Sequence, residues 1–250
     1  MLKALFCLKT EWGFFVVVYV ACIFALLMGI VLNIETATTN CSVSVALNGE
    51  LLALKEFDSA NYSHAEQLHI FIEDVLKEAS IGLNQIHAVA VSKGPGSYTG
   101  LRIGVSAAKG LCFSLDLPLI SIPTLESMAS QLNTTQSNFI IPVLDARRME
   151  VYSCVFNTDL NEIRETKAEI IDENSFAEYA KKGKVLLIGS GAEKCKELLI
   201  NKNFIFNTKA VPSAREMAAL SYEKFKENDF EDVAYFEPYY LKDFMLQKKA

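Results

Sequence analysis

The sequence is poor in the groups that most enzyme chemistry requires. It has three histidines, one tryptophan and no C-x-x-C pair, and the motifs H-E-x-x-H, G-x-S-x-G and G-K-[ST] are all missing. Those absences exclude the zinc ribbon, the zinc protease, the serine-hydrolase elbow and the P-loop. His64 and His69 are five residues apart, about 140° around a helix, so they do not share a metal-binding face. With His87 they are expected in solvated or capping roles. Positive charge is also short: 24 Lys and Arg face 30 Asp and Glu, a net charge of −6, so no global field draws in a polyanion. The six cysteines (Cys7, Cys22, Cys41, Cys112, Cys154, Cys195) are scattered, which reads as reduced thiols in a cytoplasmic core.

With 51% hydrophobic and 22% charged residues, the chain can bury a large core as one domain or two lobes. Trp12 to Ile34 carries no charge, long enough to cross a hydrocarbon layer of about 30 Å. The strand beginning at Val31 uses the end of that run, which leaves a span of roughly 18 residues, at the lower limit for a membrane helix. Met28 stands just before the strand. Residues 1–27 are therefore expected to be an apolar extension from a misplaced start, with a single membrane anchor as the other reading.

From Met28 the runs VLNIETAT, CSVSVALNG and ELLALKEF make a three-strand meander with an Asn-Gly turn. A helix is expected from Ser63 to Ala79, with Ser63 and Glu66 as a capping box. HAVAVSKGPG reads as a strand entering a glycine loop, followed by a helix over Tyr98 to Leu115, the strand LPLISI, and a helix over Thr124 to Leu132. A second, looser round starts at Phe139 and ends with a helix over Ser213 to Glu227. The boundaries are residues 28–135 for the first lobe and 136–250 for the second, with the polar stretch Asn133 to Asn138 between them. This is an α/β chain, and the order βββαβαβα is that of the RNase-H-like unit from which the actin-like ATPase fold builds each of its two lobes.

Two features of Gly94 to Leu111 carry the functional reading. The loop Gly94-Pro95-Gly96-Ser97-Tyr98-Thr99-Gly100 lies between a strand and a helix. It is either an anion cradle made of backbone N–H groups or a tight turn capped by Ser97 or Thr99. In the helix, Gly100, Gly104 and Ala108 recur at four-residue spacing and form a face without bulk. Interior glycines cost about 1 kcal/mol each relative to alanine, so something must pack closely there, from the same lobe or from a partner.

The same stretch resembles the TsaB family motif G-P-G-S-[FY]-T-G-L-R-I-G followed by A-K-G-L. Gly94 to Gly104 and Ala108 to Leu111 match it position for position. VLNIETATTNCSVSVA, LPLISIPTLESMA, DARRMEVYSCVFN and FEPYYLKD extend the likeness over about Met28 to Asp243. The resemblance implies a non-catalytic scaffold partner of TsaD in making threonylcarbamoyladenosine next to the tRNA anticodon. TsaE would join the larger complex, tRNA would be held only indirectly, and a homodimer would form when the chain is alone. It implies no cofactor and no activity of the isolated chain. The TsaD family bears H-x-x-x-H on a helix that falls here on Thr124 and Met128, which cannot replace it as metal ligands, so neither a metal site nor a catalytic residue is expected.

The expected partner contacts are Gly100, Gly104 and Ala108, with Ile70 and Phe71 from the preceding helix. Glu35, Thr36, Gly189 and Gly191 remain as a vestigial nucleotide site, because the Asp-x-Gly-[ST] turn of the superfamily is replaced by Glu35-Thr36-Ala37-Thr38. An independent ATP-binding enzyme or kinase on the same fold is the alternative function.

Overall fold

The computed structural model describes residues 28–59, 63–131 and 137–242. The expected extension over residues 1–27 and most of the Asn133 to Asn138 boundary lie outside them. Among the described residues, no helix is long and apolar enough to cross a membrane.

The first round of elements is β1 (Ile30–Glu35), β2 (Asn40–Leu47), β3 (Glu50–Asp58), α1 (His64–Ala79), β4 (Ala88–Gly94), α2 (Tyr98–Leu115), β5 (Leu119–Pro123) and α3 (Thr124–Ala129). The second repeats that order: β6 (Phe139–Asp145), β7 (Glu150–Asn157), β8 (Glu162–Ile170), α4 (Ala177–Ala180), β9 (Val185–Ile188), α5 (Ala192–Leu198), β10 (Phe204–Asn207) and α6 (Ala214–Glu227). The sheets are ordered β3-β2-β1-β4-β5 and β8-β7-β6-β9-β10. In each, the meander is antiparallel and the last two strands are parallel to the first. The two lobes are therefore one topology used twice, as the actin-like fold requires.

Side-chain alternation sets what each face of the first sheet can hold. Cys41, Val43 and Val45 of β2 join Leu32 and Ile34 of β1 in a core against α1 and α2. Ser42 and Ser44 point the other way, into bonds with the start of α6: Ser42 Oγ accepts from Ala214 N at 3.0 Å, and Ser44 Oγ donates to Ala214 O at 2.7 Å. The last helix of the second round thus covers the first sheet, with Ala214 and Met217 buried on Val31, Ala88 and Ile120. Conversely, Leu125 and Met128 of α3 are buried with Ile140, Leu144 and Ile188 of the second lobe. Each round ends by donating a helix to the other, which locks the lobes together.

Local signals hold with one correction. Asn48 and Gly49 turn the first hairpin at φ 53° and 83°, the paired positive φ of a type I′ turn. Helix α1 buries Leu68, Ile72, Val75 and Leu76 on one stripe. The expected capping box does not form, because Ser63 sits at φ −85°, ψ 21° and its side chain makes no cap bond. Its carbonyl still accepts from the N–H groups of Glu66 and Gln67, as an N-cap carbonyl does.

Candidate functional site

The glycine loop is held by the turn after β1. Ser97 N donates to Ala37 O at 2.6 Å, Gly100 N to Ser97 Oγ at 3.3 Å and Leu101 N to Ser97 O at 2.9 Å. Two of the loop's N–H groups, those of Ser97 and Gly100, are thus engaged within the chain and Leu101 N makes an ordinary helical bond, which fits a turn with Ser97 as the N-cap.

The glycines explain themselves by what lies on them. A Cβ on Gly96 would meet Ala37 O, one on Gly100 would meet Thr36 O, and one on Gly104 would meet Thr36 Oγ1. The row is a track that seats the Glu35-Thr36-Ala37 turn. This corrects the expected partner contacts: Gly100, Gly104 and Ala108 are all buried, and Ala108 lies in the first-lobe core. Their small face is filled from within the chain. Phe71 is half-buried against the same core, and only Ile70, 53% exposed, stands in solvent.

Glu35, Thr36, Gly189 and Gly191, the expected vestigial nucleotide site, are all buried. Glu35 is fully buried, its Oε1 accepts from Ala37 N at 2.6 Å, and its Oε2 has no partner. Burial pushes its carboxyl up to about 7, against the lowering effect of the backbone N–H bonds. Gly189, at φ 112°, is packed so that a Cβ would be 2.5 Å from both Met128 Cε and Val143 O, and one on Gly191 would be 3.0 Å from Val151. Thr124 and Met128, where TsaD bears histidines, are wholly buried.

Of the histidines expected in solvated or capping roles, His69 is exposed, and His64 and His87 bond to the backbone of other elements. His64 is buried with Nε2 at 2.7 Å from Thr38 O, and burial lowers its pKa. His87 Nδ1 accepts from Ile30 N at 3.0 Å. Cys41, Cys112, Cys154 and Cys195 are buried free thiols, with burial pushing them up to about 11, 11, 12 and 12 respectively. Among the described residues, no group of three or more His, Cys, Asp or Glu side chains could hold a metal ion.

Two hollows remain. The first, about 620 Å³, opens between the lobes, and Thr38, Ser97, Asp145, Arg147 and Ser190 face it together with Tyr239–Lys242 of the C-terminal segment. Its second-lobe wall is the hairpin between β6 and β7. There Arg147 and Arg148 take positive φ of 72° and 49°, held because Lys194 Nζ donates to Asp145 Oδ1, Arg148 O and Glu150 O at 2.6–2.8 Å.

The second hollow is an open, apolar groove of about 580 Å³ between α1 and α2, with Ala65, His69, Ile103, Ala107, Gly110 and Leu111 on its walls. A Cβ on Gly110 would meet nothing within 4 Å, so this glycine has no packing reason inside the chain. The sequence reading singled out the buried phase of α2 and not this exposed one. Its available signal was the A-K-G-L half of the motif, where a helix-interior glycine costs about 1 kcal/mol.

The comparisons agree with this architecture. The family model described as TsaD: tRNA N6-adenosine threonylcarbamoyltransferase matches residues 58–248. The tRNA threonylcarbamoyladenosine biosynthesis protein TsaB of Escherichia coli K12 is 30% identical over 229 residues, covering 88% of this chain and 97% of that one. A tRNA N6-adenosine threonylcarbamoyltransferase of Bacillus thuringiensis is 37% identical over 108 residues, covering 37% of this chain and 32% of the relative. The solved structure of a Pseudomonas aeruginosa protein with similarity to peptidase YeaZ superposes with a TM-score of 0.77 at 22% identity, covering 86% of this chain and all of that one.

Proposed function

The chain belongs to the TsaB family, and we propose that it acts in tRNA threonylcarbamoyladenosine synthesis as a non-catalytic scaffold that binds TsaD through the groove between α1 and α2. The observation that carries this is the groove itself. It is apolar, it lies between two helices of the first lobe, and its small residues, Ala107 and Gly110, would let a partner helix approach closely. The absence of catalysis is supported by the glycine loop, whose Ser97, Gly100 and Leu101 N–H groups are bonded within the chain. TsaE joins the pair in the larger complex. The tRNA is held by other subunits, in keeping with a net charge of −6. In the absence of TsaD the same groove pairs two copies of this chain, in the cytoplasm.

Gly110→Trp tests the reading, because its side chain enters the groove without meeting the core. The variant is expected to melt no lower than the parent and to bind TsaD at least about tenfold more weakly, as for a truncated or blocked hot spot, with threonylcarbamoyladenosine formation falling in parallel. Unchanged affinity for TsaD would remove the groove as the docking site.

A further inference from the structure

We propose that the C-terminal segment Tyr239–Lys242, which lines the inter-lobe cleft, works as a clasp that holds the second lobe to the first. The path of the chain after α6 argues for it. Glu231 pairs with Leu119 at the edge of the first sheet, and its Oε1 accepts from Ser121 Oγ at 2.5 Å. Lys109 Nζ donates to Ala234 O at 3.0 Å and Phe236 O at 3.1 Å, and Phe236 is 9% exposed in the first-lobe core. The segment is therefore anchored to the first lobe by Phe236, and nothing in that anchoring obliges the next residues to enter the cleft.

They enter it through specific contacts on both walls. Tyr239 N donates to Lys93 O at 2.7 Å, and the Tyr239 carbonyl lies where a Cβ on Gly94 would come within 2.9 Å. The Tyr240 ring is 4.9 Å from that of Tyr98, and its hydroxyl accepts from Arg102 Nε at 3.3 Å. The Arg102 guanidinium in turn covers Tyr98, 4.4 Å from the ring centre. Two residues later, Lys242 Nζ pairs with the Glu150 carboxylate on β7 of the second lobe. Four residues thus pass from the loop before α2 to the wall opposite, where Glu150 lies next to the hairpin that Lys194 pins. Gly94, at φ 103°, accommodates the tail on the surface that an anion would otherwise approach.

The test is hydrogen exchange on the full chain, comparing the parent with Lys242→Glu and with the swapped pair Lys242→Glu/Glu150→Lys. In the single variant, exchange at the Tyr239 N–H and across residues 145–152 should rise together by about fivefold, the scale of one partly exposed ion pair, and the swap should return both towards the parent. Tyr240→Ala, which removes the aromatic contact and leaves the ion pair intact, should loosen the same two segments. Exchange that is unchanged in both single variants overturns the clasp. So does loosening confined to the tail with residues 145–152 unaffected, because the segment then touches the second lobe without holding it.

Discussion

Gly104→Ala separates a glycine that seats the chain's own turn from one that receives a partner. The added methyl would land on Thr36 Oγ1, while Thr36 Cβ and Cγ2 are each 3.4 Å away. Thr36 has nowhere to go: it is wholly buried, its N–H reaches Ser92 Oγ at 3.4 Å, and the next carbonyl is bonded to Ser97 N. Overpacking of this kind costs about 1–3 kcal/mol, against a helical gain of about 1 kcal/mol for replacing glycine by alanine. The single variant should therefore be destabilised by up to about 2 kcal/mol, read by urea denaturation followed by circular dichroism. Thr36→Ala removes the clashing hydroxyl and leaves its own Cβ at an ordinary contact distance. The double variant should recover the loss, with a coupling energy of about 1–3 kcal/mol, and should bind TsaD as the parent does. Absence of coupling between Gly104→Ala and Thr36→Ala would refute the track, and a well-folded double variant with weakened TsaD binding would return Gly104 to the partner interface.

Glu35→Gln tests the buried carboxyl. Its folded pKa of about 7 lies above its ordinary 4.5, so the stability it contributes is fully present below about pH 4.5 and is lost as pH rises towards and through 7. That interval is worth about 3 kcal/mol. The variant should be more stable than the parent at pH 8 and should flatten the fall between pH 5 and 7, and a parallel pair of curves would refute the assignment. Lys194→Met leaves the Arg148 and Glu150 carbonyls and a carboxylate without their shared donor. It should cost about 1–3 kcal/mol in denaturation experiments and make the Arg147-Arg148 turn more susceptible to trypsin. Peptide mapping after iodoacetamide at pH 8 should find Cys41, Cys112, Cys154 and Cys195 unmodified in the native chain, because all four are buried with raised pKa.

What the sequence disclosed follows from the range of each signal. The strands of both meanders were legible because a period of two is written in adjacent residues, as in Cys41-Ser42-Val43-Ser44-Val45. The same pattern could not say that Ser42 and Ser44 face a helix that begins at Ala214, about 170 positions later, and not solvent. The exchange of α3 and α6 between lobes was hidden for that reason. The row Gly100, Gly104, Ala108 announced a close approach, which is correct, but spacing records only the lack of bulk and not what fills it. The filler is Thr36, far upstream in the chain. The groove was missed by one step around the same helix, since Ala107 and Gly110 are interleaved with the buried row. Ser63 and Glu66 had the residue types of a capping box, yet its geometry was lost because Ser63 sits outside the extended region that an N-cap side chain needs.

The clearest consequence concerns how a ligand loop becomes a structural one without changing its glycines. In a phosphate loop, glycine admits an anion to backbone N–H groups. Here Thr36 and Ala37 of the turn after β1 occupy the space that Gly96, Gly100 and Gly104 leave. Ala37 O then takes the Ser97 N–H for itself. On the opposite side of the loop, Lys93 O takes the Tyr239 N–H and Gly94 lies under the Tyr239 carbonyl. The motif is thus satisfied twice from within the chain, by the β1 turn on one side and by the C-terminal segment on the other. At Ser97 and Gly100 the destination of the N–H is therefore the protein itself.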